Sequence, residues 1–181
     1  MKVGDFVVER LHAWGVRRIY GYPGDGINGV TGALQRADKI EFIQARHEEM
    51  AAFMAVAHAK FTGELGVCFS TGGPGATHMI TGLYDAKLDH VPVLAICGQA
   101  EVTVRGASYQ QELNLDRMFA DVAGFAQEAS ASADRPQHPR GAGTQLPVRP
   151  DFSERHPGPG LRRTRGRPRL HARKVATWAD R

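Results

Sequence analysis

Four apolar runs of strand length, alternating with stretches of helical periodicity, organise residues 1 to 127. Val3, Phe6, Val7, Leu11 and Trp14 recur at helical spacing and Gly15 follows as a stop, which predicts an amphipathic helix over residues 3–14. Residues 18–22 read as a short strand ending in the tight turn Pro23-Gly24-Asp25-Gly26. A helix is expected from about residue 27 to 36, then a strand over 39–44. A further helix over 48–61 carries Met50, Phe53, Met54, Ala57 and His58 at helical intervals. The third apolar run, Leu65 to Ser70, opens into Thr71-Gly72-Gly73-Pro74-Gly75 and a helix through about Asp85; the fourth is Val91 to Cys97. Runs that do not alternate are buried on both faces, as in a parallel sheet between helices. The order α-β-α-β-α-β-α-β, with crossovers of the usual length, predicts a doubly wound α/β fold. After Gly98 the pattern weakens to a short helix within 112–120 and a last strand over 122–127.

At 181 residues the chain has the size of one ordinary domain. Its two cysteines, Cys68 and Cys97, both lie in apolar runs, so they read as buried reduced thiols of a cytoplasmic protein, not as a disulfide scaffold. The charged N-terminus supports neither a signal peptide nor a membrane span. The net charge of +4 conceals an asymmetry: residues 1–127 hold 11 Lys+Arg against 14 Asp+Glu, or −3, and residues 128–181 hold 12 against 5, or +7. That second segment also carries seven of the ten prolines and almost no large aliphatic residues. It is too poor in apolar surface to build a core, and a disordered basic tail is expected from residue 128 onward.

Candidate chemistry concentrates in three turns. Arg46-His47-Glu48-Glu49 stands between a strand and a helix, where ligands bind in open α/β sheets. A carboxyl group half-buried there suits proton exchange with a ligand; the same acids also complement a helix N-terminus. Gly24-Asp25-Gly26-Ile27-Asn28-Gly29 matches the dinucleotide fingerprint G-x-G-x-x-G, but Pro23 and a whole preceding helix make it atypical, and three glycines also serve a tight turn. The Thr71–His78 turn offers backbone N–H groups at a helix start without the Lys-Ser/Thr ending of a phosphate loop. The eight histidines form no metal set by spacing, and the basic tail lacks the aromatic interleaving of a specific nucleic-acid binder.

Taken together, Tyr22-Pro23-Gly24, Arg46-His47-Glu48, Thr71 to Thr77, Gly82-Leu83-Tyr84-Asp85-Ala86 and Tyr109-Gln110-Gln111-Glu112 resemble the N-terminal pyrimidine-binding domain of thiamine-diphosphate enzymes, in the pyruvate oxidase and acetolactate synthase group. The resemblance covers residues 1 to about 127. It implies that Glu48 hydrogen-bonds N1′ of the cofactor's aminopyrimidine and assists proton removal from the thiazolium, in an enzyme that decarboxylates 2-oxo acids such as pyruvate. It further implies that Tyr22, Pro23 and Gly24 line the pyrimidine pocket, that Thr71, Pro74 and His78 sit beside it, and that Gln111 stands near the reacting carbons. The family often has asparagine at the place of His78, and Gln110 replaces the phenylalanine of its Phe-Gln-Glu motif.

The family also implies a magnesium ion and, in many flavoprotein members, FAD, each held by a separate domain that is not readable in this sequence. Gly24-Asp25-Gly26 is not the family's metal-binding Gly-Asp-Gly, and no suitably spaced asparagine follows it. The final strand of the pyrimidine domain is not readable either. The expectation is therefore a truncated, inactive half of an active site, working as a homo-oligomer or with a chain that supplies the diphosphate-binding domain, and with neither a membrane nor a specific nucleic acid as partner. The arginine-rich tail reads as an out-of-frame translation of a GC-rich gene or as a genuine interaction tail. The alternatives are a nicotinamide-dinucleotide dehydrogenase fragment and a non-enzymatic, basic-tailed interaction protein.

Overall fold

The computed structural model describes residues 2–129 and the backbone of Lys174–Ala179. In chain order the elements are α1 (Val3–Ala13), β1 (Arg18–Gly21), α2 (Asn28–Ala37), β2 (Glu41–Gln44), α3 (Glu48–Thr62), β3 (Gly66–Ser70), α4 (Pro74–His78), α5 (Ile80–Leu88), β4 (Val93–Gln99), α6 (Leu115–Phe119), β5 (Ala126–Ala129) and β6 (Lys174–Ala179). The punctuation is local chemistry. Gly15 and Gly63 adopt positive φ just past α1 and α3, and the left-handed Asp38 closes α2.

All strand pairs are parallel, in the order β2-β1-β3-β4-β6-β5. From β1 the chain moves outward to β2 and then returns to the other side of β1 as β3. The β1/β3 boundary is therefore a topological switch point, the place at which open α/β sheets bind ligands.

The sheet separates two cores. Val67 and Phe69 of β3 and Leu94 and Ile96 of β4 pack with Val8, Leu11, Val30 and Leu34 of α1 and α2. The alternate residues, Cys68, Ala95 and Cys97, face Ala51, Ala52, Ala55, Val56, Met79, Leu83 and Phe119 on the other side. Small residues on this second face let α3 lie close to the sheet and to α5. A Cβ on Gly82 would stand 2.6 Å from that of Ala52, and one on Gly66 would strike the Ala55 carbonyl oxygen. Crowding of this kind costs about 1–3 kcal/mol when a methyl is forced in, so two glycines set how deeply the helix carrying Glu48 is seated.

Two differences from the sequence expectation have physical reasons. The single helix expected up to Asp85 is two, divided at Met79; the Thr77 hydroxyl donates to the Pro74 carbonyl at 2.8 Å, a local bond of the kind that bends helices. The second difference concerns the segment 128–181, for which disorder and a missing final strand are expected. Residues 130–173 and 180–181 lie outside the described residues, but Lys174–Ala179 is a strand between β4 and β5, and β5 itself extends to Ala129. Val175, Thr177 and Trp178 have high strand propensity, which is lost when composition is averaged over an arginine-rich segment.

Cys68 and Cys97 are fully buried and unpaired, as expected. Burial pushes the Cys68 thiol up to about 12 and that of Cys97 higher still, so neither forms a reactive thiolate at neutral pH. A water-soluble disulfide reagent should leave both thiols untouched in the native protein and titrate both after denaturation; rapid native-state labelling would contradict the placement of β3 and β4.

Candidate functional site

Turns from the carboxyl ends of β1 and β3 meet through glycine and Thr71. A Cβ on Gly24 would come within 2.7 Å of Thr71 Cβ, and the Gly26 N–H donates to Thr71 Oγ1 at 3.2 Å. The end of β4 joins them. A Cβ on Gly98 would collide with the Gly26 carbonyl oxygen, and one on Gly72 would lie 2.8 Å from the Gly98 carbonyl oxygen. Gly73 has φ +58°, and a Cβ there would stand 2.6 Å from Gln111 Cβ, so the strained turn at Gln111, itself at φ +63°, leans on this same loop.

Glu48 enters from β2. It opens α3, where the preceding His47 acts as N-cap: its Nδ1 accepts from the Glu49 N–H at 3.3 Å. The Glu48 side chain is only 12 % exposed, and its Oε2 lies 3.0 Å from His78 Nδ1 at the end of α4. The ring of His78 stacks on His47 with centroids 4.4 Å apart. Gly75 lies beneath the carboxylate, where a Cβ would come 3.4 Å from Glu48 Oε1. The structure thus unites Glu48, His78, Thr71 and Gly24 around the switch point. Tyr22 and Pro74 are exposed at its rim, Pro23 is half-buried, and the exposed Gln111 reaches the group through Gly73.

The family model described as the thiamine pyrophosphate enzyme, N-terminal TPP binding domain, matches residues 1–118. The chain belongs to the thiamine pyrophosphate enzymes. It is 48% identical over 134 residues to the pyruvate oxidase of Lactiplantibacillus plantarum, covering 74% of this chain and 22% of that protein. It is 44% identical over 115 residues to the large subunit of acetolactate synthase isozyme 2 of Escherichia coli, covering 64% of this chain and 21% of that protein. The chain spans only about a fifth of the length of these relatives.

For a thiamine-enzyme N-terminal domain, the donor set at the switch point is apt: a nearly buried carboxylate, an imidazole beside it, and glycines that keep the floor free of side chains. The dinucleotide reading of the Gly24 turn meets a different geometry. A 3-10 turn over Asp25–Ile27 follows Gly24, and the Gly26 amide is already bonded to Thr71. A separate polar cavity of about 570 Å³ lies beyond β4, lined by residues including Gln99, Arg105, Tyr109, Glu112 and Glu128; Tyr22, Glu48, Thr71 and His78 are not among its walls. The carboxylate–imidazole pair weighs more, because a surface hollow becomes a site only through its convergent groups.

Sequence spacing missed His47 and Gly98. His47 carries a helix cap and a ring stack, and its place before Glu48-Glu49 is the one signal that could have marked it as an N-cap. The spacing also finds no metal set among the histidines, whereas the fold brings one ligand atom each of His47, Glu48 and His78 within 4.8 Å of one another. The tight backbone approach at Gly98 yields an expected outcome. Gly98→Ala should lower unfolding free energy by about 1–3 kcal/mol through forced separation of the turns, read as a lower denaturant midpoint; an unchanged midpoint would refute the contact.

Proposed function

We propose that this chain provides the pyrimidine-binding half of a thiamine-diphosphate-dependent enzyme that decarboxylates a 2-oxo acid such as pyruvate. The observation that carries the reading is Glu48, a carboxylate 12 % exposed at the switch point, backed by an imidazole and a glycine floor. When bound, the cofactor supplies a nucleophilic carbon and an electron sink for decarboxylation. The work of this chain is to hold the aminopyrimidine and to manage one proton. With Oε2 engaged by His78, Oε1 on the Gly75 side is the oxygen left to hold a bound aminopyrimidine at N1′. His78, donating from Nδ1 when Glu48 is ionised, fixes the carboxylate's rotamer and provides a route for its proton to solvent, since His78 itself is exposed. Tyr22, Pro23 and Gly24 form one wall, Thr71 and Pro74 the other, and Gln111 stands toward the reacting carbons.

Burial of Glu48 excludes water from the proton transfer and strengthens its hydrogen bond to the ligand. The groups that would hold the diphosphate, its magnesium ion and, in flavin-dependent members, FAD are outside the described residues. Among the described residues no helix is long and apolar enough to cross a membrane, and two unpaired buried thiols suit a reducing cytoplasm.

Calorimetric titration with thiamine diphosphate and magnesium tests the reading. Glu48→Gln preserves shape but exchanges a charge-assisted hydrogen bond for a neutral one, so affinity should fall by about tenfold. Equal affinity for wild type and variant would overturn the role of Glu48, and preferential binding of a nicotinamide dinucleotide would overturn the function.

A further inference from the structure

We propose that His47, Glu48 and His78 form a binding site for a divalent transition-metal ion of the zinc class. Two imidazoles and one carboxylate are a donor set that zinc and its first-row neighbours prefer, whereas magnesium prefers oxygen ligands throughout. The three ligand atoms lie within 4.8 Å of one another, and the His78 Nδ1 to Glu48 Oε2 separation is 3.0 Å. Ligands around a tetrahedral zinc ion stand roughly 3.4 Å apart, for bonds of about 2.0–2.1 Å. One edge of the polyhedron is therefore already formed, and closing the other two requires the exposed His47 ring to turn out of its stack on His78 so that its lone pair meets the ion. His47 and His78 are exposed, so an ion can enter from solvent and complete its shell with water. This leaves an open coordination position.

Two local features shape the binding. The Glu48–His78 contact is bridged by a proton, and an ion entering between the two groups takes that proton's place. At His47, the ion competes with the Glu49 N–H for the Nδ1 lone pair, or uses Nε2 after a tautomer change that also releases the amide. The positive end of α3 opposes a cation, and the carboxylates of Glu48 and Glu49 in its first turn offset that field. The inference needs only these three side chains and stands apart from the cofactor reading. Its consequence for that reading is competition, because an ion held by Glu48 removes the carboxylate from any organic ligand.

The test is zinc titration of the whole chain without cofactor, against a chromophoric chelator, with cobalt(II) absorption as a second readout. His78→Asn and His47→Ser are the variants; serine retains an N-cap acceptor, and circular dichroism checks the fold. One zinc ion should bind, cobalt(II) should show the visible bands of a low-coordinate nitrogen–oxygen site, and excess magnesium should not displace either ion. Each variant should weaken zinc binding about tenfold or more, since losing a ligand costs at least as much as losing a group behind one. No zinc binding, displacement by magnesium, or equal affinity in both folded variants, as when zinc sits on His138, His156 or His171, would overturn the proposal. Thiamine diphosphate binding without zinc binding would sink this inference alone.

Discussion

The meeting of backbone with backbone at Gly26, Gly72 and Gly98 is the constraint on which the rest of the site depends. Turns from β1, β3 and the end of β4 approach so closely that no side chain fits between them, and the Gly26 N–H to Thr71 hydrogen bond locks the arrangement. Parallel strands deliver these turns to one end of the sheet, at the β1/β3 switch point. A methyl group at Gly72 or Gly98 would wedge the turns apart and move the groups that converge on the switch point.

Glu48 depends on that frame from two directions. Its helix is drawn against the sheet by Gly66 and against α5 by Gly82, so the first turn of α3 is held at a set depth. Its side chain is held by α4, through His78, over the empty floor at Gly75. A carboxylate with one oxygen tied to an imidazole and the other over a glycine is oriented before any ligand arrives, which lowers the ordering cost of binding. The same orientation presents an aligned lone pair to a hydrogen-bond donor or to a cation.

Much of this was legible in the sequence, because local patterns encode local structure. The apolar runs at Leu65–Ser70 and Val91–Cys97, the stop at Gly15 and the Glu48 helix start all arise from interactions within a few residues. The resemblance carried by Arg46-His47-Glu48 and Thr71–Thr77 pointed to the family that the comparison bears out. What escaped depends on distant partners. Gly98 looks like any residue after a strand until Gly26 is seen against it, and Gly82 looks unfavourable in a helix until Ala52 is found 2.6 Å from its missing Cβ. His47 reads as part of a motif, yet its cap and its stack on His78 require the fold. The strand at Lys174–Ala179 escaped for a different reason: a short stretch of strand-forming residues is outweighed by the arginine and proline around it.

The central claim is that the β1/β3 switch point, and not the polar cavity beyond β4, receives the organic ligand. Amide hydrogen exchange with and without thiamine diphosphate tests it most directly, since the turns in question are named by their backbone groups. The account predicts slowed exchange at Gly24–Ile27, at Thr71–Thr77 and in the first turn of α3, with the α1–α2 face unchanged. Slowing confined to the residues around Arg105 and Glu128, or to none at all, would contradict it.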